Sequence, residues 1–415
     1  MFEIIKLSNG VRIIAEKMPY VRSAAVGIFL NVGSRDEAPS ENGSAHYIEH
    51  MLFKRTSKHS AAELAFEMDA IGGQVNAYTT RESTCFYARV LDNHLNKAID
   101  LLTEMFFDCA FDEAEAESER GVILEEIGMY EDTPDDACYE KLMSGVFKGA
   151  LGRPVLGKPS TLGKMTGESL RQFKEKRYNA GNIIISLCGN YEDSHLERIK
   201  EYFSEMEKAK HRARRAASYA AHISVRRKKT EQNQFCLAFP SGPISSEDRF
   251  AVNLLASVLG GGVSSRLFQN IREKYGLCYS IYAFQSSFTD TGMLSVATAV
   301  SKDTELRTLG LIGDELRRFV DGGITEDELS RAREQAKSSL VMGLESTNSR
   351  MLKMGNSLLA LGKCLTPDEL IARYDEVSAE QILSIARERF DFGQLSLSAL
   401  GKTVGAENYL KALGL

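Results

Sequence analysis

Two kinds of hydrophobic pattern follow one another along the chain. Residues 23–32 and 182–187 are rich in Val, Ile, Leu and Phe, which is typical of half-buried strands. Residues 62–71 and 94–107 carry apolar side chains three and four positions apart, which predicts amphipathic helices. Because strands and helices occur in runs without strict β–α–β alternation, the pattern favours an α+β protein with mostly antiparallel sheets packed against helices.

The two halves of the sequence resemble each other. The segment Phe-Asp-Glu-Ala-Glu at 111–115 corresponds to Ile-Thr-Glu-Asp-Glu at 324–328, and 26–29 aligns loosely with 236–239. Both offsets are close to half of the 415 residues. A repeat of this length predicts two structurally similar halves.

The length also exceeds the roughly 100–200 residues of an ordinary single domain. We therefore predict an N-terminal domain over 1–210, a linker over 211–229 and a C-terminal domain over 230–415. The linker region is rich in Lys and Arg, which we interpret as a solvated connection and not as a surface for nucleic acid.

Composition and charge limit the possible partners and compartment. The net charge of −6 gives no electrostatic reason to bind nucleic acid or an anionic membrane surface. The first residues do not predict an export signal, and we expect no membrane span, because no apolar run reaches the roughly 18–20 residues that one needs. The seven cysteines are scattered and form no CxxC pair, which is typical of reduced thiols in a cytoplasmic protein.

The sequence His46-Tyr47-Ile48-Glu49-His50 is the strongest chemical signal. On a helix, positions i, i+3 and i+4 share one face, so the two imidazoles and the carboxylate would point into the same volume. Two imidazoles at this spacing can bind one zinc ion, with the carboxylate placed to accept a proton from the attacking water. This is the inverted form of the HExxH zinc signature.

A third ligand is expected because catalytic zinc usually has three protein ligands and one position open to water. The helical pattern over 113–130 offers Glu119, Glu125 and Glu126. A helical wheel puts Glu126 and Glu119 in the apolar arc that begins at Val122, and Glu125 at its rim. Because a carboxylate among apolar residues needs a cation, Glu126 is the predicted ligand and Glu119 its supporting partner.

The second half of the sequence lacks these groups. The repeat offset carries the histidine motif onto 256–263, which contains no His and no acid, and carries Glu126 onto Ser339. One metal site per chain is therefore predicted.

These motifs resemble the pitrilysin family of inverted-motif zinc peptidases, over essentially the whole chain. The resemblance is strongest to short bacterial members similar to the catalytic subunit of the mitochondrial processing peptidase. In that family a glutamate 76 residues after the second histidine binds zinc, which corresponds to Glu126, and an acid seven residues earlier corresponds to Glu119. The resemblance implies that Glu49 is the general base and that the two halves form a clamshell around a chamber.

The resemblance also implies where a substrate binds. The sequence Gly-Gly-Gln-Val-Asn-Ala-Tyr-Thr at 72–79 is similar to the family's edge strand, to which an extended peptide adds through its backbone, so Asn76 and Ala77 are the expected contacts. In the second half, Arg272 and Tyr279 match an Arg and a Tyr seven residues apart that reach across the cleft. Both side chains can donate to a developing oxyanion.

The predicted function is that of a zinc metalloendopeptidase for short or unfolded peptides, with one zinc per chain and a homodimeric assembly implied by the resemblance. Two alternatives stay open. The chain could be a non-catalytic scaffold or assembly subunit of the same fold. The zinc could instead be structural, which would require a fourth protein donor.

Overall fold

The computed structural model of the chain describes residues 2–209 and 213–415. Lys210 and residues 211 and 212 of the predicted linker lie outside the described residues. Contacts divide the chain into two compact units, each built from segments of both sequence halves. The first comprises Met1–Ile127, Arg153–Arg215 and Val341–Thr366, and the second Gly128–Gly152, Ala216–Leu340 and Pro367–Leu415. The boundaries at 210 and 230 stay a prediction.

The first unit contains a six-stranded sheet in the order β1-β2-β6-β3-β5-β4. Only the β2–β6 pair is parallel. The strands are β1 Phe2–Lys6, β2 Arg12–Lys17, β3 Ser23–Leu30, β4 Gln74–Thr79, β5 Thr84–Leu91 and β6 Ile183–Gly189.

Helices cover this sheet on both faces. Leu101 and Met105 belong to the core on one face, and Met351 and Leu358 to the core on the other. Every residue of β6 is consequently buried, which explains its continuous apolar sequence. The helices are α1 Ser44–Met51, α2 Ala61–Ala70, α3 Leu95–Asp108, α4 Glu113–Asp132, α6 Pro159–Leu162, α7 Gly167–Arg177, α8 Asp193–Ser204 and α12 Thr347–Leu361. The last residues of α4 belong to the second unit.

The second unit contains a five-stranded sheet in the order β7-β11-β8-β10-β9, with only the β7–β11 pair parallel. Its strands are β7 Ile223–Arg227, β8 Asn233–Ser241, β9 Cys278–Ser287, β10 Gly292–Val300 and β11 Ser396–Gly401. Its helices are α5 Pro134–Val146, α9 Arg249–Gly260, α10 Glu305–Gly322, α11 Glu326–Gly343, α13 Pro367–Asp375, α14 Ala379–Arg389 and α15 Ala406–Ala412, and a π-helical turn spans Phe268–Glu273.

The two sheets share one topology. Apart from β1, the first sheet has five strands in the order β2-β6-β3-β5-β4, and the second sheet has five in the order β7-β11-β8-β10-β9. When the five strands of each sheet are counted along the chain, both orders read first, fifth, second, fourth, third. The repeat segments coincide with β3 and β8 and with the beginnings of α4 and α11. The predicted α+β class and the two similar halves are confirmed.

The four segments chosen for their periodicity have the predicted type. They form β3, β6, α2 and α3, each with bounds within two residues of the prediction. Among the described residues, no helix combines the length and apolar character needed to cross a membrane.

The basic linker is solvated only in part, which corrects our interpretation of that segment. The side chain of Arg214 is 9% exposed, and its guanidinium lies 2.7 Å from Asp36 Oδ2. It also donates to the carbonyl oxygens of Asn31 and Glu82. The sequence pattern missed this because the acceptors lie more than 130 residues away along the chain.

Candidate metal centre

The histidine motif lies on α1, as its spacing predicts. The helix begins after Gly43, whose φ of 104° favours glycine, and a Cβ there would lie 2.9 Å from the Cα of Gly157. Tyr47 and Ile48 are buried in the core of the first unit. Packing of this face fixes the rotation of α1 and directs His46, Glu49 and His50 away from the core centre.

A buried carboxylate lies at the start of α1. Glu37, 4% exposed, accepts from the backbone N–H of Gly43 and the side chain of Asn42 through Oε2 and from the backbone N–H of Ala45 through Oε1, at 2.8–2.9 Å. Burial raises the pKa of Glu37 to about 8, although these hydrogen bonds act in the opposite direction. Glu37 therefore accepts from two of the backbone N–H groups at the start of α1, Gly43 and Ala45, where a helix leaves such groups without internal partners.

Helix α4 brings Glu126 to the two histidines. Tyr47 donates its hydroxyl to the carbonyl of Ala116 and so joins α1 to α4. Glu126 faces the histidines, whereas Glu125 is exposed. Our wheel argument was wrong in one respect: Val122, its reference residue, is 50% exposed, because only a narrow stripe of α4 is buried.

Three donor atoms converge between these helices. Oε2 of Glu126 lies 3.6 Å from Nε2 of His46 and 3.5 Å from Nε2 of His50, and the three donors all lie within 4.8 Å of one another. Ligands about 2.0–2.1 Å from a tetrahedral zinc stand roughly 3.4 Å apart. The separations and the nitrogen–oxygen donor set therefore fit zinc. Among the described residues, this donor cluster contains only these three side chains.

The electrostatics of the two histidines differ. Burial, together with the neighbouring His50, lowers the pKa of His46 to about 4, so its imidazole is neutral at pH 7 and able to bind a metal. Burial also opposes the ionisation of His50, but hydrogen bonds to Glu126 and Glu119 outweigh it and raise the pKa of His50. The carboxylates thus concentrate negative charge where a cation would sit.

Glu119 lies one step outside the donor cluster. Its Oε1 is 2.8 Å from Nδ1 of His50, and its Oε2 is 2.6 Å from Nζ of Lys54. Burial acts to raise the pKa of Glu119, but the bonds to Lys54 and His50 outweigh it and lower the pKa. A carboxylate on the second nitrogen of a ligating histidine fixes the tautomer and the orientation of the ring.

Glu49 occupies the same face of α1, beside the donor cluster. Burial raises the pKa of Glu49, and a hydrogen bond from Thr79 partly opposes this effect. The hydroxyl of Thr79 lies 2.5 Å from Oε2 of Glu49. The sequence placed Thr79 at the end of the edge-strand segment but gave no sign of its contact with Glu49, and it gave no sign of the role of Glu37.

The predicted substrate contacts Asn76 and Ala77 lie on β4, at one end of the strand order. The backbone N–H of Ala77 donates to Oδ1 of Asn76 at 2.8 Å. β4 packs against α1, which carries the histidines. The edge strand is thus a neighbour of the candidate metal centre within the first unit.

Arg272 and Tyr279 belong to the second unit. Arg272 lies in the π-helical turn, and its guanidinium is 4.4 Å from the ring centre of Phe268 and 5.1 Å from that of Tyr279. Tyr279 is 78% exposed. The two residues are therefore neighbours, and their action on a substrate at the metal centre stays a prediction.

Comparison with known families identifies the class of protein to which this fold and donor set belong. Residues 12–159 match the family model for insulinase (peptidase family M16), and 164–336 match that for the peptidase M16 inactive domain. The chain is 42% identical to the uncharacterized zinc protease YmxG of Bacillus subtilis over 92% of this chain and 94% of that protein. It is 38% identical to an uncharacterized zinc protease of Streptomyces coelicolor over 92% of this chain and 86% of that protein.

The chain belongs to peptidase family M16, and the resemblance to pitrilysin-family zinc peptidases is confirmed. Solved structures with similar folds include a peptidase M16 inactive domain from Pseudomonas fluorescens, with a TM-score of 0.90 and 19% identity. A protease from Helicobacter pylori gives a TM-score of 0.88 and 20% identity. Each comparison covers 97% of this chain and 99% of the other.

Proposed function

We propose that this protein is a zinc-dependent metalloendopeptidase. The observation that carries the proposal is the convergence of His46, His50 and Glu126, with the partly buried Glu49 on the same face of α1. Its membership in a family whose relatives are named zinc proteases supports the same activity.

His46, His50 and Glu126 would hold one zinc ion per chain, while Glu119 orients His50. When bound, zinc supplies Lewis-acid polarisation of the scissile carbonyl and a lowered pKa for an attacking water. Three protein donors leave room for water and substrate, whereas structural zinc sites are usually closed by four protein ligands. The donor count therefore favours a catalytic over a structural role.

Glu49 would act as the general base and then as the acid. Its carboxylate takes the proton of the attacking water and returns a proton to the leaving amine. The upward direction of its pKa shift suits this role, because a base that must also donate works best when its pKa approaches the working pH.

An extended peptide would add to the β4 edge and contact Asn76 and Ala77 through backbone hydrogen bonds. Arg272 and Tyr279 would donate to the oxyanion when the two halves close as a clamshell. We extend the proposal to short or unfolded peptides as substrates, and to a cytoplasmic homodimer.

Two substitutions test the proposal. Glu49→Gln should retain zinc, because it leaves the donors in place, and should abolish cleavage of a quenched-fluorescent peptide library. Glu126→Gln should lose zinc, and Glu125→Gln is the matched control that should lose neither zinc nor cleavage. Turnover by Glu49→Gln would refute the assigned base. A zinc-loaded wild-type protein without any chelator-sensitive cleavage would instead support the scaffold alternative.

A further inference from the structure

We propose that Thr79 is a positioning residue that fixes the Glu49 carboxylate relative to strand β4. The inference rests on the proposed function, in which Glu49 is the base and β4 receives the substrate. The structure places this hydroxyl beside the Glu49 carboxylate.

The hydroxyl of Thr79 has one proton to donate, and the surrounding acceptors direct it to Glu49. Oε2 of Glu49 lies 2.5 Å away, whereas Oγ1 of Thr84 lies 3.3 Å away. Thr84 donates its own proton to the carbonyl of Val32 at 2.9 Å. A carboxylate is also the stronger acceptor, so the Thr79–Glu49 bond is a charge-assisted hydrogen bond.

Strand geometry explains why Thr79 is the residue that reaches Glu49. Side chains alternate between the two faces of a strand, so Thr79 shares the face of Val75 and Ala77, which pack against the core beneath α1. Tyr78 points to the other face, where its hydroxyl lies 3.2 Å from Oδ1 and 3.0 Å from Nδ2 of Asn356. Thr79 is therefore the last residue of β4 on the side of α1.

The backbone after Thr79 is also fixed. Thr80 donates its N–H to the carbonyl of Ser83 at 2.7 Å. Its hydroxyl accepts from the backbone N–H groups of Glu82 and Ser83. Because this turn holds the end of β4, the hydroxyl of Thr79 is a rigid reference point for Glu49.

The consequence concerns the two oxygens of the Glu49 carboxylate. With Oε2 held by Thr79, the carboxylate cannot rotate freely, and Oε1 is left as the proton acceptor. A substrate on β4 would be positioned by the same strand that orients the base. Loss of the bond should therefore lower kcat about 10–100-fold, the same size of effect that the loss of a partner of a metal ligand usually has, while KM changes little.

The test compares Thr79→Val, which has nearly the same shape without the hydroxyl, with Thr79→Ser, which keeps the hydroxyl. We expect Thr79→Val to lower kcat about 10–100-fold with unchanged zinc affinity, measured by chelator competition, and a melting temperature within about 5 °C of wild type. Thr79→Ser should recover most of kcat. Tyr78→Phe, which removes a hydroxyl from the other face of β4, is the matched control and should keep wild-type kcat.

A wild-type kcat in Thr79→Val would overturn the inference, and so would a loss of kcat that Thr79→Ser does not restore. If Glu49→Gln itself stays active, the proposed function fails. If Glu49→Gln is inactive but Thr79→Val is normal, only the role of Thr79 fails.

Discussion

Nδ1 of His50 lies 2.8 Å from Oε1 of Glu119. This contact leaves Nε2 of the same ring directed to Glu126. Since Lys54 holds the other oxygen of Glu119 at 2.6 Å, the carboxylate is anchored on both sides. The imidazole of His50 is therefore oriented by Glu119 and Glu126. These two residues are seven positions, or about two helical turns, apart on α4.

Substituting Glu119 should weaken metal binding without removing a ligand. We expect Glu119→Gln to lower zinc affinity about 10–100-fold, because the amide is a weaker acceptor and no longer fixes the His50 tautomer. Competition with a chromophoric chelator measures the change. Glu117→Gln, an exposed substitution on the same helix, should keep wild-type affinity, and equal affinities in both variants would contradict the role of Glu119.

Glu37 should be essential for the stability of the first unit. At about pH 9, above the pKa of Glu37, the wild-type carboxylate only accepts hydrogen bonds. In Glu37→Gln the new NH2 group replaces an oxygen that accepts from a backbone N–H or from Asn42. A buried donor is then left unpaired, which costs about 2 kcal/mol. Urea denaturation monitored by far-UV circular dichroism measures this loss, because the chain has no Trp to serve as a fluorescence probe. Glu41→Gln, in a partly exposed ion pair with Arg177, should cost about 1 kcal/mol or less, and a larger loss there than in Glu37→Gln would contradict this view.

Local periodicity selected the three side chains that the structure brings together, His46, His50 and Glu126. The spacing of His46, Glu49 and His50 determines one helix face, and the pattern around Glu126 indicates which side of α4 meets a cation. Thr79 and Glu37 could not be predicted in this way. Each acts through contacts 5 to 30 residues away along the chain, which depend on how strands and loops pack and not on a repeat of side-chain type.

The same limit applies to the fold. Strand and helix types followed from hydrophobic spacing, and the internal repeat predicted two similar sheets. The sheet that each helix covers did not follow: α12, from the second half of the sequence, packs on the β3 and β6 strands of the first half, and α5 packs on β8 and β11. An amphipathic pattern shows that a helix has an apolar face but does not identify its partner.

Arg214 should contribute strongly to the first unit although it lies in a basic segment. Its guanidinium donates to both carboxylate oxygens of Asp36, at 2.9 and 2.7 Å. Arg214→Ala leaves this half-buried carboxylate without its cation, so we expect a loss of about 3–5 kcal/mol. Arg215→Ala, an exposed neighbour, should change stability by less than about 0.5 kcal/mol. Urea denaturation of the two variants decides the matter, and equal stabilities would mean that the Arg214 pair contributes nothing.

Glu328 should make the second unit sensitive to acid. The hydrogen bonds from Arg266, at 2.7 and 2.8 Å, lower the pKa of Glu328 to about 2, against about 4.3 for Glu in an unfolded chain. Between these values the unfolded state binds more protons, so the contribution of this pair is present above pH 4.3 or so and is lost as the pH falls toward 2. The urea midpoint of Glu328→Gln should therefore fall less steeply between pH 5 and pH 2 than that of wild type. Glu326→Gln, an exposed substitution on the same helix, is the control, and its midpoint should change with pH as in wild type. Parallel pH profiles for Glu328→Gln and wild type would show that the Arg266 pair does not stabilise the folded state.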